Sequence, residues 1–331
     1  MDSFLLSGIV KSDPRFLAES AVLWDEMGLI KQTYKSLLEK AGKTADWDES
    51  KPGGKFIRKY IGGTSKKLEK SLEKGFLLKV QLNLSYPASV PQWLLLKRVF
   101  DLFKITLPKG EVTLTEMDRQ CKKIEGLFLS DFARSEKLGN PLDMADFFNI
   151  YTQKMAETLI DNFSKLSKEE QDRTLDDILE EIIDLPQEQK EAFRSSLQID
   201  EITRDSLRKA ILAGGASVGL TSYVSVAGFG AYIFLTKTIA TVAGFVGLTL
   251  PFGVYTSATS LLAVLSSPLT MMLFLAGGGF FLEQRTAHKL QKEFLKSLMA
   301  QVFFSANTKE NSWKDMRSFL EARKVAELYV R

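Results

Sequence analysis

The segment from Ile211 to Leu282 limits the possible folds of this chain most strongly, because Lys237 is its only charged residue. Apolar runs of about 20 residues are typical of helices that cross a lipid bilayer. Glycine, serine and threonine are abundant in the segment, whereas most membrane anchors are rich in leucine. This composition is typical of helices that pack closely or that insert into a membrane only conditionally.

The first part of the segment, residues 211–236, is the best single membrane span. At a rise of about 1.5 Å per residue, it is long enough to cross a hydrocarbon core of roughly 30 Å. It contains a GxxxG pair, which allows a second helix to approach closely, and hydroxyl side chains that repeat every four residues. We predict that one face contacts neighbouring helices or water, and we call it the glycine face: Gly215, Ser217, Gly219, Thr221 and Ser225.

The second part of the segment is interrupted by proline. Pro251 would kink a helix over residues 238–266, which predicts one kinked span or a re-entrant pair. Ser267 and Pro268 have the order of a helix cap and a first helical residue. Two alternatives to membrane helices remain open. The segment is either a hairpin buried in the core of a helical domain, or a hairpin masked in a water-soluble fold until a trigger releases it.

The chain is long enough for more than one domain. Its 331 residues and hydrophobic fraction of 45% allow a folded core outside the hydrophobic segment. We predict a mainly α fold with a helical amino-terminal domain, a minor β element and a Gly-rich hydrophobic helical hairpin domain. The predicted regions are a soluble domain over 1–165, an acidic helical hairpin over 166–210, the hydrophobic helices over 211–282 and a basic amphipathic tail over 283–331.

Capping residues predict several helix starts. Pro14 follows Ser12 and Asp13, and both Thr113 and Ser167 have a glutamate three residues later, which is the spacing of a capping box. Thr203 precedes another helix. After Pro141, aromatic and apolar residues recur at helical spacing, a pattern that belongs to a core far more often than to a cofactor site: Leu142, Phe147, Phe148, Tyr151, Met155, Leu159 and Phe163.

The minor β element is predicted from strict alternation over residues 78–86. Leucine, valine and tyrosine occupy the even positions, and polar residues occupy the odd positions. A small hairpin over residues 105–107 and 112–114, joined around Gly110, would pair nearby.

Charge is distributed unevenly along the chain. Residues 166–201 are strongly acidic, whereas residues 51–74 and 284–331 carry an excess of lysine and arginine. Basic residues beside a hydrophobic segment suit an anionic leaflet, at about 1 kcal/mol for each Lys or Arg near the surface. The candidates for contact with lipid head groups are Lys55, Arg58, Lys59, Lys66, Lys67, Arg285, Lys289 and Lys292.

No catalytic or metal-binding pattern is present in the sequence. The single histidine, His288, lies between basic residues, and the single cysteine, Cys121, has no histidine near it. The run DDILEEIID resembles a carboxylate cluster, but its apolar stripe of Leu175, Ile178, Leu179, Ile182 and Ile183 places the acids on the solvent side. We therefore predict no enzyme, no cofactor and no metal.

The runs EITRDSLRKAILAGGASVGLTSYVSVAGFGAY and LTLPFGVYTSATSLLAVLSSPL resemble the carboxy-terminal half of the YaaW-like family of uncharacterised bacterial proteins. The segments SDPRFLAES, GGKF with the following Gly-Gly, and LSKEEQ are more weakly similar, and residues 81–161 show no similarity. The resemblance implies a bacterial source and membrane association. It implies no catalytic residues, because the family has no established activity.

Three hypotheses for the function follow. The hydrophobic helices insert into the inner membrane and permeabilise it after oligomerising through the glycine face. Alternatively, they are a permanent anchor for an amino-terminal binding domain, or the protein is a soluble, chaperone-like scaffold. The predicted partners are anionic lipid, a second copy of the chain and a protein bound at the amino-terminal domain, without nucleic acid. The predicted location is the cytoplasmic face of the inner membrane, or the cytoplasm before insertion.

Overall fold

A computed structural model describes residues 3–25, 78–106, 112–139, 142–183, 185–213, 216–227, 287–307 and 313–330, together with residues 231, 235 and 238. Every regular element in these residues is an α-helix, so the predicted mainly α class is confirmed. The chain divides into two compact units. The first comprises Met1–Ile30, Lys74–Phe148 and Arg285–Arg331, and the second comprises Lys31–Glu73 and Asn149–Gln284.

The described helices are numbered in chain order. They are α1 (Phe4–Lys11), α2 (14–25), α3 (78–84), α4 (Ser89–Leu102), α5 (Leu114–Glu136), α6 (Met144–Ser164), α7 (Lys168–Ile183), α8 (Gln187–Ser196), α9 (Arg204–Leu212), α10 (Ala216–Ala227), α11 (Ala287–Asn307) and α12 (Trp313–Val330). The first unit contains α1–α5, the start of α6, α11 and α12. The second unit contains the rest of α6 and α7–α10.

Helix α1 lies at the centre of the first unit. Leu5, Leu6 and Ile9 are completely buried, and the helix packs mainly against α11. Gly8 permits this packing, because a Cβ atom there would lie 2.1 Å from the carbonyl oxygen of Val302. The close approach of two backbones therefore requires glycine at this position.

Two carboxylates of α5 hold the amino-terminal end of α1. The backbone N–H of Ser3 donates to Asp118 Oδ1 at 2.6 Å. The Ser3 hydroxyl and the backbone N–H of Leu5 both donate to Glu125 Oε1 at 2.7 Å. The first N–H groups of a helix have no partner inside it, and negative charge is favoured at that end. Docking α1 on α5 therefore satisfies donors that α1 cannot satisfy alone.

The aromatic face predicted for the helix after Pro141 belongs to buried cores. Six of its seven residues, from Phe147 to Phe163, are at most 5% exposed, whereas Leu142 is half-buried and precedes the helix. In the first unit, Phe147 meets the rings of Phe128 and Phe132 edge-on, with ring centroids 4.8 and 4.9 Å apart. Edge-to-face contacts of this kind stabilise aromatic pairs beyond the apolar area that they bury.

The capping residues begin helices where the sequence predicts them. α2 begins at Pro14, and Thr113 caps α5 by accepting the N–H of Glu116 at 3.2 Å. Ser167 and Glu170 form a reciprocal capping box at the start of α7, and Thr203 forms one with Ser206 at the start of α9. Each of these helices begins at a point that depends on residues within four positions of its first residue, so local interactions determine where it begins.

The predicted β element is wrong. Residues 78–84 form helix α3, in which only Val80 is buried, against Ala18 and Val22 of α2. Alternation is a weak preference that tertiary contacts can override, and Val80 is the side chain of α3 that makes such a contact. In the predicted hairpin, residues 105–106 and 112–113 are irregular, and Leu114 is the first residue of α5. Residues 107–111 lie outside the described residues.

Candidate functional site

The predicted membrane span over residues 211–236 is broken close to its start. Helix α9 ends at Leu212, and Ala213 leaves the helix with an extended backbone (φ −73°, ψ 146°). A new helix, α10, begins at Ala216. A continuous span from residue 211 is therefore wrong, because the chain turns within the first turn of the predicted helix.

No helix in the described part of the chain has the length and apolar character needed to cross a membrane. The predicted permeabilisation by inserted helices, and with it the membrane, transmembrane and pore-forming classification, is therefore wrong for these residues. Ala231, Leu235 and Thr238 are helical and at most 7% exposed. The predictions for Pro251, Ser267 and Pro268 lie outside the described residues.

The close helix contact predicted for the glycine face forms within the chain. A Cβ atom on Gly219 would lie 2.5 Å from the carbonyl oxygen of Ser196, at the end of α8. One turn later, Tyr223 is completely buried and meets the ring of Phe193 edge-on, with centroids 5.0 Å apart. Burial raises the pKa of Tyr223 to about 12. The face of α10 that carries Gly219 and Tyr223 is therefore occupied by α8.

The hydroxyl groups of the glycine face bond to their own helix. Thr221 Oγ1 donates to the carbonyl of Ser217 at 2.8 Å, and Ser225 Oγ donates to the carbonyl of Thr221 at 3.0 Å. Such bonds to the preceding turn satisfy a hydroxyl within its own helix. Ser225 Oγ also donates to Asn149 Oδ1 of α6 at 3.5 Å. Ser217 and Thr221 are half-buried, Ser225 is exposed, and Gly215 lies outside the described residues.

Helices α7 and α9 are joined by two ion pairs, which we call the ion-pair ladder. Arg204 Nε donates to Asp176 Oδ1 at 2.9 Å, and Arg208 donates to Asp172. Arg208 also lies 3.8 Å from Asp205. The Asp176 carboxylate raises the pKa of Arg204. One carboxylate of the DDILEEIID run is thus bound to arginine, and the described residues contain no group of three or more His, Cys, Asp or Glu able to hold a metal ion.

The apolar stripe of α7 is confirmed for Leu175, Ile178 and Ile182, which are at most 4% exposed. Leu179 is half-buried. The prediction is wrong for Ile183, which is 69% exposed, because it is the last residue of the helix and lies beyond the contact with α9.

Lys292, one of the candidates for contact with lipid head groups, is bound within the first unit. Its Nζ donates to Asp131 Oδ2 of α5 at 2.6 Å. Lys289 lies in α11, but its side chain is outside the described part of the chain. The remaining candidates lie outside the described residues: Lys55, Arg58, Lys59, Lys66, Lys67 and Arg285. For these residues, contact with lipid stays a prediction.

Cys121 lies inside the first unit rather than at a reactive site. It is completely buried, and burial raises the pKa of its thiol well above the usual value. Burial also raises the pKa of Glu125, one turn along α5, against the lowering effect of its bonds from Leu5 and Ser3. A high thiol pKa disfavours the thiolate, which is the nucleophilic form. Of His288, only its position in α11 is described.

Helix α3 has an exposed apolar surface that the alternation does not predict, which we call the leucine face: Leu78 and Leu82, which are 67% and 53% exposed. Leu84 is 40% exposed but lies on another side of the helix, because two residues correspond to about 200° of rotation. The alternation places all three leucines on the apolar side of a strand. The helical spacing of Leu78 and Leu82 was the available signal, since residues four apart share one face of a helix.

Comparison of the chain with models of protein families, with curated proteins and with solved structures finds no match. The resemblance to the YaaW-like family therefore stays a prediction.

Proposed function

We propose that this protein is a helical binding protein without enzymatic or pore-forming activity, which associates with a second copy of itself through the leucine face. The observation that carries the proposal is the exposure of Leu78 and Leu82, one turn apart on α3, a helix that buries only Val80. Clusters of exposed apolar side chains mark interaction sites on otherwise polar surfaces.

The arrangement of the leucine face suits a two-fold dimer. Leu78 and Leu82 lie one turn apart on the same side of α3, and a two-fold axis brings a surface patch against its own copy. Leucine would then pack against leucine in both halves of the contact. Helix α3 belongs to the first unit. In this proposal, the second copy of the chain is therefore the protein partner that we predicted for the amino-terminal domain.

The size of the leucine face indicates a weak complex. Covering Leu78 and Leu82 in both copies removes four leucine side chains from water, at roughly 1–2 kcal/mol each, because they are partly covered already. Association itself costs several kcal/mol of lost translational and rotational freedom. The net gain is therefore at most a few kcal/mol, and we expect dimers only near millimolar concentrations.

The self-association that we propose replaces oligomerisation through the glycine face. In the second unit, the Gly219 side of α10 is packed against α8 and offers no place for another copy. The hydrophobic hairpin predicted for residues 211–282, the cytoplasmic location and the anionic lipid contacts are retained as proposals alongside the dimer.

Sedimentation equilibrium of the full chain tests the proposal. The average mass of the wild type should rise towards that of a dimer with concentration, and the double variant Leu78→Ser/Leu82→Ser should remain a monomer. Gln81→Ser, an exposed change on the same helix, is the matched control and should behave as the wild type. A wild type that stays monomeric at about 1 mM, or a double variant that still dimerises, would refute the leucine face as the contact.

A further inference from the structure

The ion-pair ladder has the geometry of a device that controls the docking of α9. Asp172 and Asp176 are one turn apart on α7, and Arg204 and Arg208 are one turn apart on α9. Asp176 pairs with Arg204 and Asp172 with Arg208, so the two helices run antiparallel and both pairs lie in one register. A shift of α9 by one turn would leave one arginine and one aspartate of the ladder without a partner.

Helix α9 is short and also packs through two apolar side chains. It has nine residues, of which Leu207 and Ile211 are buried and Leu212 is 47% exposed. Helices of fewer than about 12 residues are marginal in water, so α9 is held by what it packs against. The ladder is therefore one part of the contact that holds α9, beside the burial of Leu207 and Ile211.

Solvent reaches the ladder, so dissolved salt can weaken it. The Arg204 and Asp176 side chains are 48% and 45% exposed, and those of Arg208 and Asp172 are 20% and 31% exposed. Ions screen exposed pairs much more than they screen apolar contacts. The electrostatic and apolar parts of the contact should therefore respond differently to ionic strength.

We propose that the ion-pair ladder is a salt-sensitive latch, which keeps α9 docked on α7 and controls how often Leu207 and Ile211 become exposed. The latch lies at the start of the hydrophobic segment, because Ala213 follows α9 directly and α10 begins at Ala216. Opening exposes apolar surface at that junction without unfolding the first unit. The proposal does not depend on the leucine face.

Amide hydrogen exchange of the full-length protein tests the latch, read by mass spectrometry on peptides that cover residues 204–212. Arg208→Gln removes one of the two ion pairs. Lys209→Gln removes one positive charge at the exposed neighbouring position and leaves both ion pairs in place. A third variant exchanges the two residues of one ion pair by combining Asp172→Arg with Arg208→Asp. Peptides from α5, in the other unit, report whether the whole protein has been destabilised.

The latch predicts a distinct pattern. Raising NaCl from about 0.05 to about 0.5 M should speed exchange in α9 of the wild type roughly fivefold, and Arg208→Gln should speed it roughly fivefold at low salt. Lys209→Gln should change it less than about twofold. Arg208→Asp alone should open α9 most, and the exchanged pair should restore protection.

Three results would overturn the latch. They are exchange in the wild type that is independent of salt, equal effects of the substitutions at Arg208 and Lys209, and failure of the exchanged pair to recover the loss caused by Arg208→Asp. If exchange in α5 rises together with that in α9, the effect is global destabilisation and the latch is likewise rejected.

Discussion

Gly219→Ala places one methyl group at the closest approach between α10 and α8. The new Cβ atom would lie 2.5 Å from the carbonyl oxygen of Ser196 and 3.3 Å from Leu197 Cδ2. The nearest atom belongs to the backbone, so turning a side chain cannot relieve the clash. One of the two helices has to move, and the contact between Tyr223 and Phe193 moves with it.

Two opposing effects determine the size of the change. Overpacking of this kind costs about 1–3 kcal/mol, whereas replacing glycine by alanine inside a helix gains about 1 kcal/mol. We therefore expect a net loss of about 1 kcal/mol in the local free energy of unfolding, and amide exchange in α8 and α10 roughly fivefold faster.

Gly126→Ala is the matched control, since Gly126 lies within α5 and, apart from its chain neighbours and the adjoining backbone of its own helix, no heavy atom comes within 4 Å of its added Cβ. Here the helix preference acts alone, so we expect a gain of about 0.5–1 kcal/mol and slower exchange in α5. The two substitutions should change the local free energy of unfolding in opposite directions. If Gly219→Ala stabilises its helix as Gly126→Ala does, the close approach to Ser196 is not formed and the account of the glycine face fails.

Three further predictions concern the first unit. Because burial raises the pKa of Glu125 above 4.5, the protein gains proton affinity on folding, so its free energy of unfolding should fall as the pH rises from about 4.5 to 7. Glu125→Gln, which retains an acceptor oxygen, should reduce that dependence in urea titrations; an unchanged pH profile contradicts this. The Cys121 thiol should resist Ellman's reagent until the protein is unfolded, and rapid labelling of the native protein would exclude its burial. Arg323 lies 4.6 Å from the Trp93 ring centroid, so Arg323→Met should cost about 1–2 kcal/mol in chemical unfolding, unlike a neutral surface change.

Sequence analysis predicted the elements whose causes are local. Thr113, Ser167 and Thr203 cap helices through bonds to the third residue that follows, and those bonds form wherever the helix forms. The aromatic positions of α6 from Phe147 to Phe163 were assigned to a core correctly, because their spacing alone defines one face of a helix.

The features that the sequence did not predict depend on residues that are far apart along the chain. Glu125 accepts a hydrogen bond from the N–H of Leu5, which is 120 positions away in the sequence. No local sequence pattern predicts that bond. The alternation over residues 78–86 does not decide the conformation, since residues 78–84 are helical and Val80 packs on α2. The spacing of Gly215 and Gly219 could not tell whether an approaching helix belongs to the same chain, a second copy or a membrane bundle, whereas in the structure Gly219 lies against the end of α8.

The most direct test of the account is a nuclear Overhauser effect between the rings of Phe193 and Tyr223, measured in detergent-free buffer on protein with labelled phenylalanine and tyrosine. The centroids are 5.0 Å apart, so ring protons lie within range. We predict that the signal is present and that adding vesicles of anionic lipid leaves it unchanged. Its absence in buffer, or its loss when vesicles are added, would show that α10 leaves α8, and would contradict the packing of the glycine face within the chain.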